Sequence, residues 1–208
     1  MDFTPNDTQS LVQQTARDFA QKTILPQAAA IDREERFPFE ILKGLADLGL
    51  MAVNVPAALG GAEAGVVSYS LAMTEVARTC ASTAVTMAVT NMVGEVVQAF
   101  GSEAQREEHL PKLTSGEYLT GAFALSEPGA GSDAAALTTV AKKTDDGWVI
   151  DGQKQWITNG GYAGLFVVWA RTGGPGAKGI STFLVKKGTP GLTIGRPENK
   201  HGLRGSNT

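Results

Sequence analysis

With 208 residues and a formal net charge of −3, the chain has room for one large domain or two small ones and lacks the basic stripe of a nucleic-acid binder. Hydrophobic residues make up 42% and charged residues 19%, an ordinary globular balance, and no basic run exceeds the pairs Lys142-Lys143 and Lys186-Lys187, too short to grip an anionic membrane. Cys80 is the single cysteine, MDFTPNDTQS has no charged-then-apolar leader pattern, and no apolar run nears the roughly 20 residues of a membrane helix, so a cytoplasmic setting is expected.

The first part of the chain reads as helices. Thr4-Pro5-Asn6-Asp7 predicts an N-cap with proline in the first turn, opening a helix with Leu11, Thr15 and Phe19 on one face until Pro26 kinks or breaks it. Asn6-Asp7-Thr8 also matches a glycosylation sequon, a pattern short enough to arise by chance. FEILKGLADLG sets Ile41, Leu42, Leu45 and Leu48 at helical spacing and stops at Gly49, a natural C′ residue. Residues 66–78 and 82–99 are long, weakly polar helical segments, the second apolar enough for burial on several sides. Ser102 with Gln105 forms a capping box for one more short helix, interrupted near Pro111.

After about Gly116 the rhythm shortens. LTGAFALS, ALTTVAKKT, GWVIDGQKQWIT, GLFVVWART, GISTFLVKK and GLTIGRP are β-branched or aromatic runs, parted by turn signals such as Asp145-Asp146-Gly147 and Thr189-Pro190-Gly191. Helices followed by strands, not alternating with them, predict an α+β chain: an all-α domain over 1–117, then an antiparallel, barrel-like β domain over 118–208.

Two glycine-rich stretches invite a nucleotide reading and fail it. GAGSDA (129–134) lacks the third glycine of G-x-G-x-x-G and is followed by strands, which excludes a Rossmann turn. GGPGAKGIS (173–181) has Gly179 after Lys178 and no helix to follow, so it reads as a hairpin loop and not a P-loop. His109 and His201 have no partners at metal-ligand spacing, and no metal site is predicted.

By itself EPGAGSD (127–133) reads as a turn. In its functional reading, Gly129 and Gly131 let a ligand approach the backbone while Ser126 and Ser132 offer hydroxyls. GQKQWITNGG (152–161) adds weight, because Trp156 and Thr158 would share one face of a strand. An aromatic plane beside a hydroxyl suits a flat heteroaromatic ring.

FALSEPGAGSD (123–133), GQKQWITNGG and GLRGS (202–206), in that order and behind a helical segment containing AVNVPAALGG (52–61), resemble the acyl-CoA dehydrogenases along essentially the whole chain. The resemblance implies a helical domain, a middle β domain and a C-terminal four-helix bundle, with FAD between the last two. Carried over by residue, Phe123, Leu125, Ser126, Gly131 and Ser132 would line the flavin, and Trp156, Ile157 and Thr158 would flank its isoalloxazine. Ser132 would also touch the CoA side of the substrate. Ser126 stands where the family often has threonine, and both keep a hydroxyl.

The resemblance further implies an acyl-CoA substrate, whose chain length these residues do not set, an electron-transfer flavoprotein as acceptor and a homotetramer. It places the catalytic carboxylate in the bundle, which this sequence lacks, and the β domain would be incomplete at Thr208. No residue of this chain is assigned as catalytic base. Glu127 is expected to make local structural hydrogen bonds and Asp133 to cap a turn. Same-fold acyl-CoA oxidases and flavin monooxygenases, or a non-catalytic truncated subunit, are the competing readings.

Overall fold

The computed structural model describes residues 4–208, so the first three residues of MDFTPNDTQS lie outside it. Helix α1 (Asp7–Phe19) is capped by Asn6, not Thr4: Asn6 Oδ1 accepts from Gln9 N at 2.9 Å, and Gln9 Oε1 accepts from Asn6 N at 3.0 Å. This reciprocal box satisfies two first-turn amides and engages the asparagine of the sequon. The buried face is Ala16, Ala20 and Ile24, with Val12 and Phe19 beside them, while Leu11 is exposed. Pro26 does not end the helical run. A π turn (Ala20–Ile24) shifts the ladder, and α2 (Leu25–Arg33) starts with the proline in its first turn, where no amide is required.

Helix α3 (Phe39–Asp47) stops as its sequence implies. Gly49 adopts φ 72°, its N–H donates to Ala46 O, and Leu50 N–H donates to Leu45 O, both at 2.8 Å, which is the Schellman pattern. Helices α4 (Gly65–Ala77) and α5 (Ala81–Phe100) follow, α5 buried on several sides. Helix α6 (Glu103–Thr114) begins at the Ser102–Gln105 box and runs through Pro111 uninterrupted. Fully buried Leu110 and Leu113 flank the proline and hold the last turn despite its missing donor.

Five strands form an open mixed sheet, β1 (Gly121–Ala124), β2 (Val140–Thr144), β3 (Gly147–Asp151), β4 (Leu165–Arg171) and β5 (Ile180–Lys186). The expected helical domain followed by a β domain is present, and its barrel-like sheet is open, with parallel as well as antiparallel neighbours. β4 pairs β1 in parallel along residues 165–168 and meets β2 in parallel at Arg171, while β5 runs antiparallel along its other edge. Only the β2–β3 and β4–β5 hairpins are antiparallel neighbours in sequence. The reason lies in 152–164, which leaves the sheet where a strand was predicted, so β4 returns beside β1 and not beside β3. GLTIGRP also lies outside the sheet.

β4 reads LFVVWAR, a nearly continuous apolar run, and it is buried on both faces. Leu165 and Val167 join Val93, Val97, Leu110 and Leu113 against the helices. Phe166 and Val168 face the other way, with Ala122, Ala124 and Ile157. Through Ile157, the GQKQWITNGG segment therefore packs on the face of the sheet opposite the helices.

Gly121 is the tight point between α5 and β1: a Cβ there would lie 2.7 Å from Val93 Cβ. Gly121→Ala is predicted to destabilise the fold by about 1–3 kcal/mol through overpacking, and denaturant unfolding checks it. An unchanged midpoint would contradict this packing.

Candidate functional site

After β1 the chain makes a tight turn over Pro128-Gly129, closed by Glu127 N–H to Ala130 O at 3.0 Å and Ala130 N–H to Glu127 O at 3.1 Å. Glu127 itself is 3% exposed. Its carboxylate accepts from Thr138 N (2.6 Å), Thr138 Oγ1 (2.8 Å), Thr139 N (3.0 Å) and Lys154 Nζ (2.8 Å). Lys154 also donates to Leu125 O at 3.1 Å, and Gln155 N–H to Ser126 O at 2.8 Å. One carboxylate thus closes the loop from 127 to 138 and hooks the second motif onto the first. Burial alone would raise the Glu127 pKa, but Lys154 and the Thr138 and Thr139 donors more than offset it and hold the carboxyl well below the usual range. Burial also depresses the Lys154 ammonium, against the pull of Glu127.

The structural role expected for Glu127 is present. Asp133 occupies the cap position of the short turn Ala134–Ala136 without a side-chain cap bond, so its predicted capping role is corrected; the Glu127 carboxylate already ties down the far end of this loop.

Trp156 and Thr158 do not lie on a strand, and the same-face argument drawn from strand alternation is corrected. The chain leaves the sheet at Gly152 (φ 155°), and the Lys154 and Gln155 bonds draw it across the first motif. Trp156 is then held at φ 59° with 62% of its surface exposed. A left-handed backbone at a bulky residue costs of order 1–3 kcal/mol, and an indole gains nothing by standing in water. Packing within the chain accounts for neither feature.

The predicted residues divide into two groups. Phe123 turns to the helical face of the sheet, with its ring centroid 5.7 Å from that of Trp169, and Ile157 packs on the opposite face. Both are seated in hydrophobic layers. Leu125 and Ser126 are half-buried at the end of β1, directly bonded through their carbonyls to Lys154 and Gln155. Gly131 and Ser132 are exposed. A Cβ at Gly129 or Gly131 would meet nothing within 4 Å, and neither has a left-handed φ. Neither packing nor backbone geometry demands glycine there, which leaves bare main chain facing open space. The hydroxyls of Ser126, Ser132 and Thr158 have no partner among the described residues.

Sequence reasoning passed over Lys154 and Arg171. Lys154 lay inside a quoted motif, and a lone basic residue between two glutamines was the available signal. Arg171, the last residue of β4, donates to the carbonyls of Ala135 (2.8 Å), Leu137 (3.1 and 3.3 Å), Gly174 (2.7 Å) and Gly176 (3.1 Å). All five of its N–H positions are used, bracing the loop after Ser132 beside an open groove of about 560 Å³.

Residues 6–117 match the family model described as acyl-CoA dehydrogenase, N-terminal domain, and residues 122–208 the one described as acyl-CoA dehydrogenase, middle domain. The chain belongs to the acyl-CoA dehydrogenase family. It is 47% identical over 205 residues to the mitochondrial short-chain specific acyl-CoA dehydrogenase of Bos taurus, covering 97% of this chain and 49% of that protein. Among solved structures it is similar to butyryl-CoA dehydrogenase from Megasphaera elsdenii (TM-score 0.93, 36% identity, 100% of this chain and 55% of that one). It is also similar to a glutaryl-CoA dehydrogenase from Mycobacterium smegmatis in complex with FADH2 (TM-score 0.89, 30% identity, 98% and 51%). The chain spans about half the length of the curated relatives it matches.

Glu127→Gln is predicted to cost about 3–5 kcal/mol at neutral pH, because it strands a buried ammonium. The folded-state pKa of Glu127 lies below its unfolded value. The contribution of the pair is therefore complete above about pH 4.3 and is lost as pH falls toward the folded value. Urea titrations of both proteins across acid pH check this. A difference that vanishes while the solution is still near neutral would contradict it.

Proposed function

We propose that this chain supplies the flavin-facing surface of an FAD-dependent acyl-CoA dehydrogenase acting on short acyl thioesters. The observation that carries the reading is Trp156, strained and exposed one residue after the Gln155–Ser126 bond that joins its segment to the glycine turn, with both segments locked by the buried Glu127–Lys154 pair. Trp156 would stack on the isoalloxazine. The Thr158 and Ser126 hydroxyls would bond its polar edge, and the Leu125 and Gly131 backbone would pass close beneath it. Phe123 and Ile157 would support this surface from the two hydrophobic layers. Ser132, exposed at the rim, would reach the CoA side of the thioester. Short acyl substrates are supported by the 47% identity to the bovine short-chain relative and by the likeness to butyryl-CoA dehydrogenase.

FAD supplies the acceptor for the hydride that leaves one carbon as a base removes a proton from the carbon beside the thioester carbonyl. The chain's part is to hold and orient the reactants and to exclude water from one side of the ring. Its most suggestive carboxylate, Glu127, is fully bonded and closed off, so we assign the base outside these residues and regard the chain alone as inactive. An electron-transfer flavoprotein as acceptor and a homotetramer complete the reading by family resemblance, and the bacterial relatives support a cytoplasmic setting. Among the described residues no helix is long and apolar enough to cross a membrane. We place the domain boundary between residues 117 and 118, supported by the passage from α6 to β1 there.

Titration with FAD should give saturable binding, weakened about tenfold by Trp156→Ala through lost stacking. Anaerobic butyryl-CoA should leave the flavin band of this chain alone unbleached. Absence of FAD binding would contradict the flavin surface, and bleaching by the chain alone would contradict the assignment of the base.

A further inference from the structure

Asn159 lies three residues beyond Trp156, fully buried and in the left-handed region at φ 66°. Its Nδ2 donates to Gly121 O in β1 at 2.9 Å and to Thr86 O in α5 at 3.3 Å. Its backbone N–H donates to Asn207 O at 2.8 Å, and its carbonyl accepts from Tyr162 N and Ala163 N at 2.9 and 2.8 Å. Gly161 N–H completes the arrangement by donating to Asn207 Oδ1 at 2.6 Å. This one residue therefore touches a helix, the sheet and the segment at Asn207. Among the described residues, no other side chain between Trp156 and Gly161 makes a hydrogen bond.

We infer that Asn159 is a positioning residue that sets the Trp156–Thr158 segment against the helical and sheet layers together, and so fixes the indole. The chemistry is restrictive. Both partners of Nδ2 are carbonyl oxygens, so the position requires a donor; a carboxylate would set oxygen against oxygen, and an alkyl group would leave two buried carbonyls unpaired. The left-handed backbone favours asparagine or glycine. Glycine keeps the backbone and removes the amide, so it separates the two roles. The anchor is not a property of buried asparagines in general. Asn91 is equally enclosed and donates to Leu50 O and Met87 O at 2.9 and 3.0 Å, but all its bonds lie within the helical layer.

That pair makes the test. In a background carrying Trp148→Phe and Trp169→Phe, the emission of Trp156 and its quenching by acrylamide report the placement of the indole without any cofactor. Asn159→Asp should shift the emission maximum and alter the quenching, and Asn91→Asp, the same chemical change in a comparable burial, should leave both as in the parent. If Asn159→Asp fails to fold, Asn159→Gly gives the same readout with the backbone conformation preserved. FAD affinity should fall about tenfold in the Asn159 variants and stay at the parent value in Asn91→Asp. Unaltered Trp156 emission and quenching in the Asn159 variants, or an equal change in Asn91→Asp, would overturn the inference. The affinity arm rests on the proposed flavin surface. A parent protein that takes up no FAD would refute that surface, while the fluorescence comparison would still decide the role of Asn159.

Discussion

The buried pair of Glu127 and Lys154 is the interaction on which the rest of the site depends. Separately, EPGAGSD is a surface turn and GQKQWITNGG an irregular loop, and neither has the buried area to hold a fixed shape. The carboxylate accepts three bonds from Thr138 and Thr139 and one from the ammonium, which in turn caps Leu125 O. A buried ion pair is weak evidence of stability when compared with an apolar replacement. Its value here is geometric, because it makes one rigid body of two segments that are 27 residues apart between the paired groups.

That body needs a floor, and β4 supplies it. With β1 and β2 on one edge and β5 on the other, the strand is central in hydrogen bonding as well as burial. Its alternation sends Leu165 and Val167 to the helices and Phe166 and Val168 to the layer beneath Ile157. The residues proposed to stack on, bond and approach a ligand stand on loops, while the layers below them are close-packed. Arg171 extends the same logic to the loop after Ser132 by spending its whole guanidinium on main-chain carbonyls.

Local features were legible in the sequence. The Ser102–Gln105 box, the Gly49 stop and the change from helical to strand rhythm depend on residues a few positions apart, and the structure contains them. The cap of α1 was misplaced because Thr4 and Asn6 both carry cap chemistry, and only the reciprocal bond with Gln9 distinguishes them. The reading of 152–158 as a strand failed for a different reason. Its β-branched and aromatic residues favour a strand, but a tertiary ion pair at Lys154 and a left-handed Trp156 override that preference. Lys154, Asn159 and, in its bonds to Ala135 and Leu137, Arg171 act over 27 to 73 residues of sequence separation, and spacing rules carry no information at that range.

The central claim is that these two loops together present a planar-ligand surface and that Trp156 is its stacking face. A crystal structure of the protein with FAD tests it most directly. The account predicts the isoalloxazine lying against the Trp156 indole, with its edge toward Ser126 and Thr158 and the Gly131 main chain close beneath. A flavin bound elsewhere, or a Trp156 indole turned away from it, would contradict the account.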